Sequence, residues 1–389
     1  MPRDFTHLSR LLTSAAETVA PAIACRVEQR GEVLFDAGFG VLNPASATGS
    51  TQPDTIFDLA SLTKLFTTTA FLRLVDAGAV TVDQPVADVV PAFGGQRIIG
   101  GSEDPISKRP LPADPRWGGQ IVDADAITFR HLLTHTSGLP AWRGLYRICG
   151  PVPAPVTPTD EDIAHRHAAA LDAIAGFPFL YPTGADYVYS DVGLILLGFA
   201  VERLHGARLD VAIHDLVSAP LGLSARYNPP ADTHSHIAPT EDDPWRQRRL
   251  RGEVHDENAA GLGGIAGHAG LFGTTADLCR LGALYLNRGE DLLSPALAAE
   301  STRPQNISAH GVRRGLGWLL RSDPDPSCST AFSPSTFGHT GYTGTSLWCD
   351  PLQDIAVALF TNRVYHGREP SGIAALRPQV HSCIADALA

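Results

Sequence analysis

Strand patterns lie near both ends of this 389-residue chain, whereas the residues between them have mainly helical patterns. Near the amino terminus, two short runs have strand composition, 24–27 and 33–35. The connection between them contains Gly31, and this arrangement predicts a β-hairpin. Near the carboxyl terminus, three more runs have strand composition: 316–320, 346–349 and 355–361. Strands from both ends of a chain can complete one sheet if the helices between them form an inserted lobe.

Helices are predicted at both termini and through the middle of the chain. Apolar residues recur with helical spacing from 5 to 19, and a second helical segment runs from about 374 to 388. Further helices are predicted at 59–76, 129–133, 160–174 and 192–204, the last with Asp191 as its cap. The predicted fold class is α+β, an antiparallel sheet flanked by the terminal helices. We expect 1–75 and 268–389 to form the lobe with the sheet, 76–267 to form the helical lobe, and the active site to lie between them.

The composition narrows the classes of function. The formal net charge is −11, so the chain offers nucleic acid no broad basic surface. The longest mostly apolar stretch, 192–201, is about half as long as the roughly 20 residues of a membrane span. The first residues mix charges and lack the apolar core of a secretory signal, so we expect a cytoplasmic protein. Six cysteines without a C-x-x-C pair are expected to be reduced thiols in the core.

Ser61 and Lys64 stand three residues apart near the start of a predicted helix, which places both side chains on one face. A serine hydroxyl is a weak nucleophile until a base accepts its proton, and a lysine kept neutral by partial burial and nearby cations can be that base. The start of the helix also offers a free backbone N–H at Ser61 for an oxyanion. The spacing suits nucleophilic catalysis, but by itself it is a weak signal, and a capping serine beside a lysine that reaches solvent explains it better.

Two further motifs follow in order along the chain, Tyr189-Ser190-Asp191 and His339-Thr340-Gly341. Together with Ser61-Leu62-Thr63-Lys64 they resemble the S-x-x-K, Y-x-N and K/H-T-G motifs of the class C β-lactamases and their relatives. These relatives include D,D-peptidases, D-aminopeptidases, esterases and acyltransferases. Segments 127–139 and 269–278 also resemble stretches of this family. The resemblance implies the class C β-lactamase-like fold and a serine hydrolase that needs neither metal nor cofactor.

The resemblance also implies roles for individual residues. Ser61 would attack a carbonyl carbon and form an acyl-enzyme, while Lys64 and Tyr189 would share the duties of base and acid. The backbone N–H groups of Ser61 and Tyr342 would form the oxyanion hole. His339 would polarise the region around Tyr189 or bind a substrate carboxylate. The residues expected to contact substrate are Asp191, Thr340, Gly341, Asp256 and Asn258.

Two residues depart from the motifs of the family. Asp191 stands where asparagine is usual, and a carboxylate cannot donate the hydrogen bond that an amide gives to a substrate carbonyl. His339 stands where the β-lactamases have lysine, so a fixed positive charge is expected to become one that depends on pH. Both departures argue against efficient hydrolysis of β-lactams.

Segment 255–259, His-Asp-Glu-Asn-Ala, resembles a stretch found in one branch of these proteins. Asp256 and Asn258 could bond to loop backbone, or they could form a wall of the substrate pocket. Upstream lies a basic cluster of Arg246, Arg248, Arg249 and Arg251. These arginines could be solvated partners of the acidic segment 241–243, or they could border a site for an anionic substrate.

A metal site is not predicted. His131 and His135 have the spacing of two ligands on one helix face, but Leu132 stands where the H-E-x-x-H motif needs glutamate. Other histidine pairs lack a carboxylate or cysteine at ligand spacing.

The sequence therefore predicts a serine hydrolase that acts on a small ester or amide, with or without a carboxylate, through a Ser61 acyl-enzyme. The alternatives are a D,D-carboxypeptidase or weak β-lactamase, an acyltransferase, and a penicillin-binding or ligand-sensing module that is acylated without turnover. Relatives that act on cell-wall peptide work outside the cytoplasm, so the expected lack of an export signal argues against that substrate. No nucleic-acid partner and no membrane span are expected, and the oligomeric state stays open.

Overall fold

A nine-stranded antiparallel sheet forms the centre of the computed structural model. The structure describes residues 3–152, 156–322, 327–369 and 372–389, without the side chain of Ile307. Its strands are β1 (Ala22–Gln29), β2 (Glu32–Asn43), β3 (Thr48–Ser50), β13 (Asn306–Ile307), β14 (Arg313–Arg314), β15 (Leu319–Leu320), β16 (Phe337–Thr340), β17 (Ser346–Asp350) and β18 (Ile355–Thr361). The order across the sheet is β13-β14-β15-β16-β17-β18-β1-β2-β3. Strands β1 and β18 are neighbours, so segments from the two ends of the chain complete one sheet, as predicted.

The helices cover both faces of the sheet and fill the middle of the chain. They are α1 (Thr6–Thr18), α2 (Thr63–Asp76), α3 (Val86–Val89), α4 (Phe129–Leu133), α5 (Asp160–Gly176), α6 (Asp191–His205), α7 (Leu209–Ile213), α8 (Ala219–Leu221), α9 (Glu257–Gly261), α10 (Thr275–Leu286), α11 (Pro295–Ser301) and α12 (Ile373–Leu388). Helices α1 and α12 share an apolar cluster with Ile23, Cys25 and Val27 of β1. Ala22 and Ala24, which alternate with those residues, belong to the larger core on the other face.

Short elements complete the chain around this framework. Strands β4 (Phe57–Asp58), β12 (Leu271–Gly273) and β9 (Arg226–Tyr227) form a small sheet in that order. Three two-stranded sheets pair β5 (Gln96–Ile98) with β8 (Ile121–Asp123), β6 (Ser102–Glu103) with β7 (Pro110–Leu111), and β10 (Asp242–Asp243) with β11 (Arg248–Arg249). Helical turns of 3-10 type lie at Pro44–Ser46, Ala60–Leu62, Pro91–Phe93, Ala124–Ala126, Leu145–Arg147, Ala231–His236 and Arg363–His366, and a π-helical turn lies at His214–Ser218.

The predicted fold class, the amino-terminal hairpin and the terminal helices are confirmed, but two local predictions are wrong. The predicted strand at 316–320 shrinks to Leu319–Leu320, because Gly317 takes a positive φ of 73° and ends the extended run. The cap of α6 is Ser190 and not Asp191, since the Ser190 hydroxyl accepts the N–H of Gly193. Asp191 is instead the first residue of the helix, which leaves its carboxylate free for another partner.

Cys25, Cys149, Cys279, Cys349 and Cys383 are free thiols, and all of these but Cys383 are buried, as is Cys328. In the residues that the structure describes, no helix combines the length and apolar character that crossing a membrane would require. The division into lobes of 1–75 with 268–389 and of 76–267 stays a prediction.

Candidate active site

Ser61 lies in the 3-10 turn that leads directly into α2. This helix is buried on nearly every side, and Lys64 in its first turn is only 1% exposed. A lysine in that position cannot extend its ammonium group into solvent, so it needs partners inside the protein. The reading of Lys64 as a lysine that reaches solvent is therefore excluded.

The Lys64 ammonium group has three partners. Its Nζ donates to Ser61 Oγ at 2.9 Å and to the carbonyl oxygen of His268 at 3.0 Å, and it pairs with Asp191 Oδ1 at 2.8 Å. Burial disfavours the charged form, but Asp191 and Tyr189 outweigh it and raise the pKa of Lys64 above its ordinary value. These partners favour the ammonium form of Lys64, in contrast to the neutral lysine base that the sequence predicted.

Tyr189 lies where several cationic and aromatic groups meet. Its ring centroid is 5.1 Å from Lys64 Nζ and 5.1 Å from the guanidinium carbon of Arg314. The rings of His135 and His339 contact it, with centroids 4.6 and 5.9 Å away. Two cationic groups, those of Lys64 and Arg314, therefore lie against the Tyr189 ring. Tyr189 also lines both cavities that Ser61 lines.

His339 is buried and uncharged. Its Nδ1 donates to the carbonyl oxygen of Thr340 at 2.9 Å, which leaves Nε2 without a proton. Burial, with the nearby charges of Arg314 and Lys64, holds the pKa of His339 well below its ordinary value. The expectation of a positive charge that depends on pH near neutrality is therefore wrong at this position.

Positive charge at this side of Ser61 comes instead from three arginines that the sequence patterns did not single out. Arg314, Arg363 and Arg377 line one cavity of about 390 Å³ together with Ser61 and other motif residues. Their hydrogen bonds go to the Tyr187 hydroxyl and to the carbonyl oxygens of Tyr342, Gly341 and Thr345. Within the described residues none of the three pairs with a carboxylate. Burial, with Arg363 nearby, lowers the pKa of Arg377 to about 10, which still leaves it charged at neutral pH.

The turn after β16 carries the second expected oxyanion donor. Ser61 and Tyr342 line the same two cavities, and neither of their N–H groups donates a hydrogen bond to another group among the described residues. The Thr343 hydroxyl donates to the carbonyl oxygen of Asp58, and that of Thr345 donates to Leu59. These bonds fasten the turn to the segment that precedes Ser61.

Gly341 has no room for a side chain. A Cβ added there would stand 2.1 Å from Thr345 Oγ1 and 2.8 Å from the carbonyl oxygen of Leu59. The glycine therefore lets the strand motif approach the nucleophile turn closely, and Thr340 beside it lines the cavity of the arginines.

A second cavity, of about 280 Å³, lies on another side of Ser61. Its walls include the aromatic and aliphatic side chains of Trp142, Ile106 and Tyr342. Charged residues also border it: Lys108, Asp191, Asp256, Glu257 and Arg368. Ser61 thus lies between a cationic cavity and a cavity of mixed character.

Asp256 and Asn258 have different positions, although the same two roles were predicted for both, as substrate contacts or as partners of loop backbone. Asp256 lines the second cavity, accepts the N–H of Ala259 and pairs with His268 Nε2 at 2.9 Å. Asn258 is fully buried, and its amide bonds to the backbone of Tyr146 and Arg143. The structural reading is therefore confirmed for Asn258, and its prediction as a substrate contact is wrong.

The basic cluster upstream does not border the cavities at Ser61. Arg246 is 5% exposed, pairs with Asp243 and donates to the carbonyl oxygens of Val254 and His255. Arg248 pairs with Glu253. The cluster is therefore structural, and Arg246 is a buried partner of Asp243 rather than a solvated one.

The sequence profile of the Beta-lactamase family matches residues 8–380, which is most of the chain. The chain belongs to the beta-lactamase family. A protein of Salmonella schwarzengrund named D-alanyl-D-alanine carboxypeptidase is 30% identical over 351 residues, which cover 85% of this chain and 73% of that protein. A protein of the same name from Salmonella paratyphi B is 29% identical over the same shares of both chains.

Solved structures of members of this fold resemble the chain over nearly its whole length. A penicillin-binding protein homolog from Caulobacter crescentus has a TM-score of 0.70 at 20% identity, with 98% of this chain and 97% of that chain covered. Simvastatin synthase from Aspergillus terreus has a TM-score of 0.71 at 20% identity, with 97% and 94% covered. EstCE1, a hydrolase with promiscuous acyltransferase activity, has a TM-score of 0.68 at 20% identity, with 95% and 97% covered. At these identities the likeness shows the fold, and the family match supports a hydrolase.

The charges around Lys64 depart from those that the family motifs imply. Asp191 gives Lys64 a carboxylate partner, while His339 supplies no charge and three arginines supply it instead. The arginines were missed because no motif contains them. Arg314 lies on β14 and Arg377 on α12, and only the tertiary structure brings them beside Ser61.

Proposed function

We propose that this protein is a serine hydrolase that cleaves a small ester or amide through an acyl-enzyme on Ser61. One observation carries the proposal: Lys64 Nζ, buried behind the nucleophile, donates to Ser61 Oγ at 2.9 Å, and Ser61 lines both cavities. A buried ammonium group at that distance stabilises negative charge as it develops on the serine oxygen. A serine with only a capping role would not need a buried cation directed at its hydroxyl.

In the proposed mechanism the proton of Ser61 passes to Tyr189. Lys64 would stay protonated beside Asp191, which favours its ammonium form. Tyr189, having given its phenolic proton to solvent, would take the proton from Ser61 Oγ as the bond from Oγ to the carbonyl carbon forms. It would then give that proton to the leaving oxygen or nitrogen as the bond from the leaving atom to the carbonyl carbon breaks. In its phenolate form Tyr189 would lie beside the positive charges of Lys64 and Arg314. Water, or another alcohol or amine, would then release the acyl group.

The N–H groups of Ser61 and Tyr342 would bind the oxyanion of the tetrahedral intermediate. Ser61 and Tyr342 both line the cleft, and neither N–H group donates a hydrogen bond to another described residue. Such donors act best when they are fixed before the reaction, and the Thr343 and Thr345 hydroxyls fix the turn that carries Tyr342.

The cationic cavity favours a substrate with a carboxylate. Arg314 is 5% exposed and Arg377 is largely buried, and buried cations without a carboxylate partner are costly until an anion pairs with them. Thr340 and His339 line the same cavity, where a hydroxyl and an imidazole nitrogen could contact the substrate. This cavity favours a D,D-carboxypeptidase as the second candidate function, since such a substrate ends in a carboxylate. The Salmonella relatives carry that name.

The proposal is tested by incubating the protein and Ser61→Ala with a fluorophosphonate probe, a penicillin, p-nitrophenyl esters and a peptide ending in D-Ala-D-Ala. Intact mass and product release are followed. We expect the probe to add to the unaltered protein alone, with ester or peptide turnover that Ser61→Ala lacks. Labelling that persists in Ser61→Ala would exclude Ser61 as the nucleophile. A stable penicillin adduct without turnover of any substrate would favour a binding protein.

A further inference from the structure

We infer that Asp58 is a positioning residue that holds the nucleophile turn in its reactive geometry. Its carboxylate joins two segments of the candidate active site and its carbonyl oxygen binds a third, while Asp58 itself is absent from the lining of both cavities at Ser61. The inference rests on the proposed function of Ser61 and adds to it a residue outside the family motifs.

Asp58 is a carboxylate without a cation. Asp58 is 2% exposed, and in the described ranges no lysine, arginine or histidine side chain lies within ion-pair distance of its carboxylate. Burial raises the pKa of Asp58 and the nearby charge of Asp256 adds to this, although the backbone N–H groups of His255 and Ala60, and the more distant His255 side chain, oppose that shift. A carboxyl group placed in such surroundings costs free energy, so its hydrogen bonds must supply a compensating gain.

Those hydrogen bonds join the segments that build the site. Oδ1 accepts the N–H of Ala60 at 2.8 Å, and Oδ2 accepts the N–H of His255 at 2.6 Å. The carbonyl oxygen of Asp58 accepts the Thr343 hydroxyl at 2.8 Å. One residue therefore connects the turn before Ser61, the segment before Asp256 and the turn that carries the Tyr342 N–H.

The turn before Ser61 is also strained. Ala60 has a φ of +47°, in the left-handed region that disfavours any residue with a Cβ. Such a conformation persists only where the surroundings impose it, and the bond from Ala60 N–H to Asp58 is a direct restraint on that residue. Because Ala60 immediately precedes Ser61, relaxation of its backbone would displace both the Ser61 hydroxyl and the Ser61 N–H.

The test compares Asp58→Asn, Ala60→Gly and the double variant by the rate at which a fluorophosphonate acylates Ser61. An amide accepts only through its oxygen, so Asp58→Asn sets an NH₂ group against one of the two backbone N–H groups. We expect acylation at least about 100-fold slower, because small displacements of reacting groups cost that much. Glycine takes the left-handed conformation without strain, so Ala60→Gly alone should keep the original rate.

Rescue is the decisive measurement. If Asp58 acts by holding Ala60, the double variant should react about tenfold faster than Asp58→Asn, since the turn then needs less restraint. A purely structural Asp58 would lower the unfolding midpoint without slowing the folded protein, and Ala60→Gly would not restore any rate. That result would overturn the inference. If Asp58→Asn does not fold, Asp58→Ser, which keeps one acceptor oxygen in less space, takes its place in the same comparison.

Ser61→Ala separates this inference from the proposed function. Labelling of Ser61→Ala would overturn both. If Ser61→Ala stays unlabelled while the Asp58 variants react at the original rate, the proposed nucleophile stands and only the positioning role fails. With an ester substrate, a positioning role should lower kcat and leave KM nearly unchanged.

Discussion

Asp191 Oδ1 lies 2.8 Å from Lys64 Nζ, at the centre of the candidate active site. The family motif has asparagine at this position, and an amide carries no charge to offset the ammonium group. The carboxylate therefore does two things at once. It stabilises the protonated lysine, and it replaces a hydrogen-bond donor that could face the substrate with an acceptor.

The first prediction concerns Asp191→Asn. Removal of the carboxylate lowers the pKa of Lys64, because Asp191 is the partner that raises it. Lys64 must be protonated in the proposed mechanism, so the loss of activity at high pH should begin about 1–3 pH units lower than in the unaltered protein. The amide should also raise activity on penicillin relative to an ester. The measurement is kcat/KM against pH for both substrates, and unchanged profiles would exclude this role of Asp191.

Tyr189→Phe should lower kcat by about 10²–10⁴-fold, since it removes the group proposed to carry the proton. The ring contacts with His135 and His339 do not need the hydroxyl, so the unfolding midpoint should change little. Tyr187→Phe is a matched control, because the Tyr187 hydroxyl only accepts a hydrogen bond from Arg314. Turnover of Tyr189→Phe at the rate of this control would remove Tyr189 from the mechanism.

Arg314→Gln should raise KM for a substrate with a carboxylate by about 10–100-fold, the cost of losing one or two charged hydrogen bonds. KM for a neutral ester of similar size should stay close to its original value. The neutral ester is thus the control for damage to the cavity. Equal changes for the two substrates would show that Arg314 does not bind the carboxylate.

Asn258→Ala should destabilise the protein without altering substrate binding. The substitution leaves the buried Tyr146 N–H and the Arg143 carbonyl oxygen without their partner, at a cost of about 1–3 kcal/mol in the free energy of unfolding. Denaturant unfolding measures this loss, and KM of the folded variant measures binding. A large rise in KM would restore Asn258 as a substrate contact.

The stability of the protein should depend on Glu241 in acid. Burial opposes its ionisation, but hydrogen bonds from His255 and Arg368 outweigh burial and lower the pKa of Glu241 from 4.5 to about 2. The group then contributes up to about 3 kcal/mol, fully present above pH 4.5 and lost as the pH falls towards 2. Glu241→Gln should remove this part of the acid dependence. Unfolding curves of both proteins between pH 7 and pH 3 would contradict the prediction if they differed by a constant amount.

The sequence predicted the parts of the site that are local or carried by motifs. Ser61 and Lys64 meet because they stand three positions apart on one helical turn, which fixes their relative position whatever surrounds the helix. The motifs at Tyr189 and His339 indicated which distant segments would join them, and all four residues border the same cleft or contact its walls. The strand patterns at both ends of the chain predicted one shared sheet, and the structure shows that β1 and β18 are the strands that join the two ends.

The charges of the site could not be predicted in this way. A pKa depends on the groups within a few ångströms and on the surrounding water, and those neighbours come from remote positions in the chain. Asp191 favours the ammonium form of Lys64, whereas burial beside Arg314 made His339 neutral, in contrast to both sequence-based expectations of charge.

The sequence by itself determined the family, the fold class and the candidate nucleophile, because these depend on periodicity and on ordered motifs. Only the tertiary structure decided which groups carry charge around Ser61, that the arginines of β14 and α12 meet there, and that Asp58 joins the segments of the site. The physical reason is that motifs record residue types at fixed spacing, whereas electrostatics and strain depend on distances that exist only after the chain has folded.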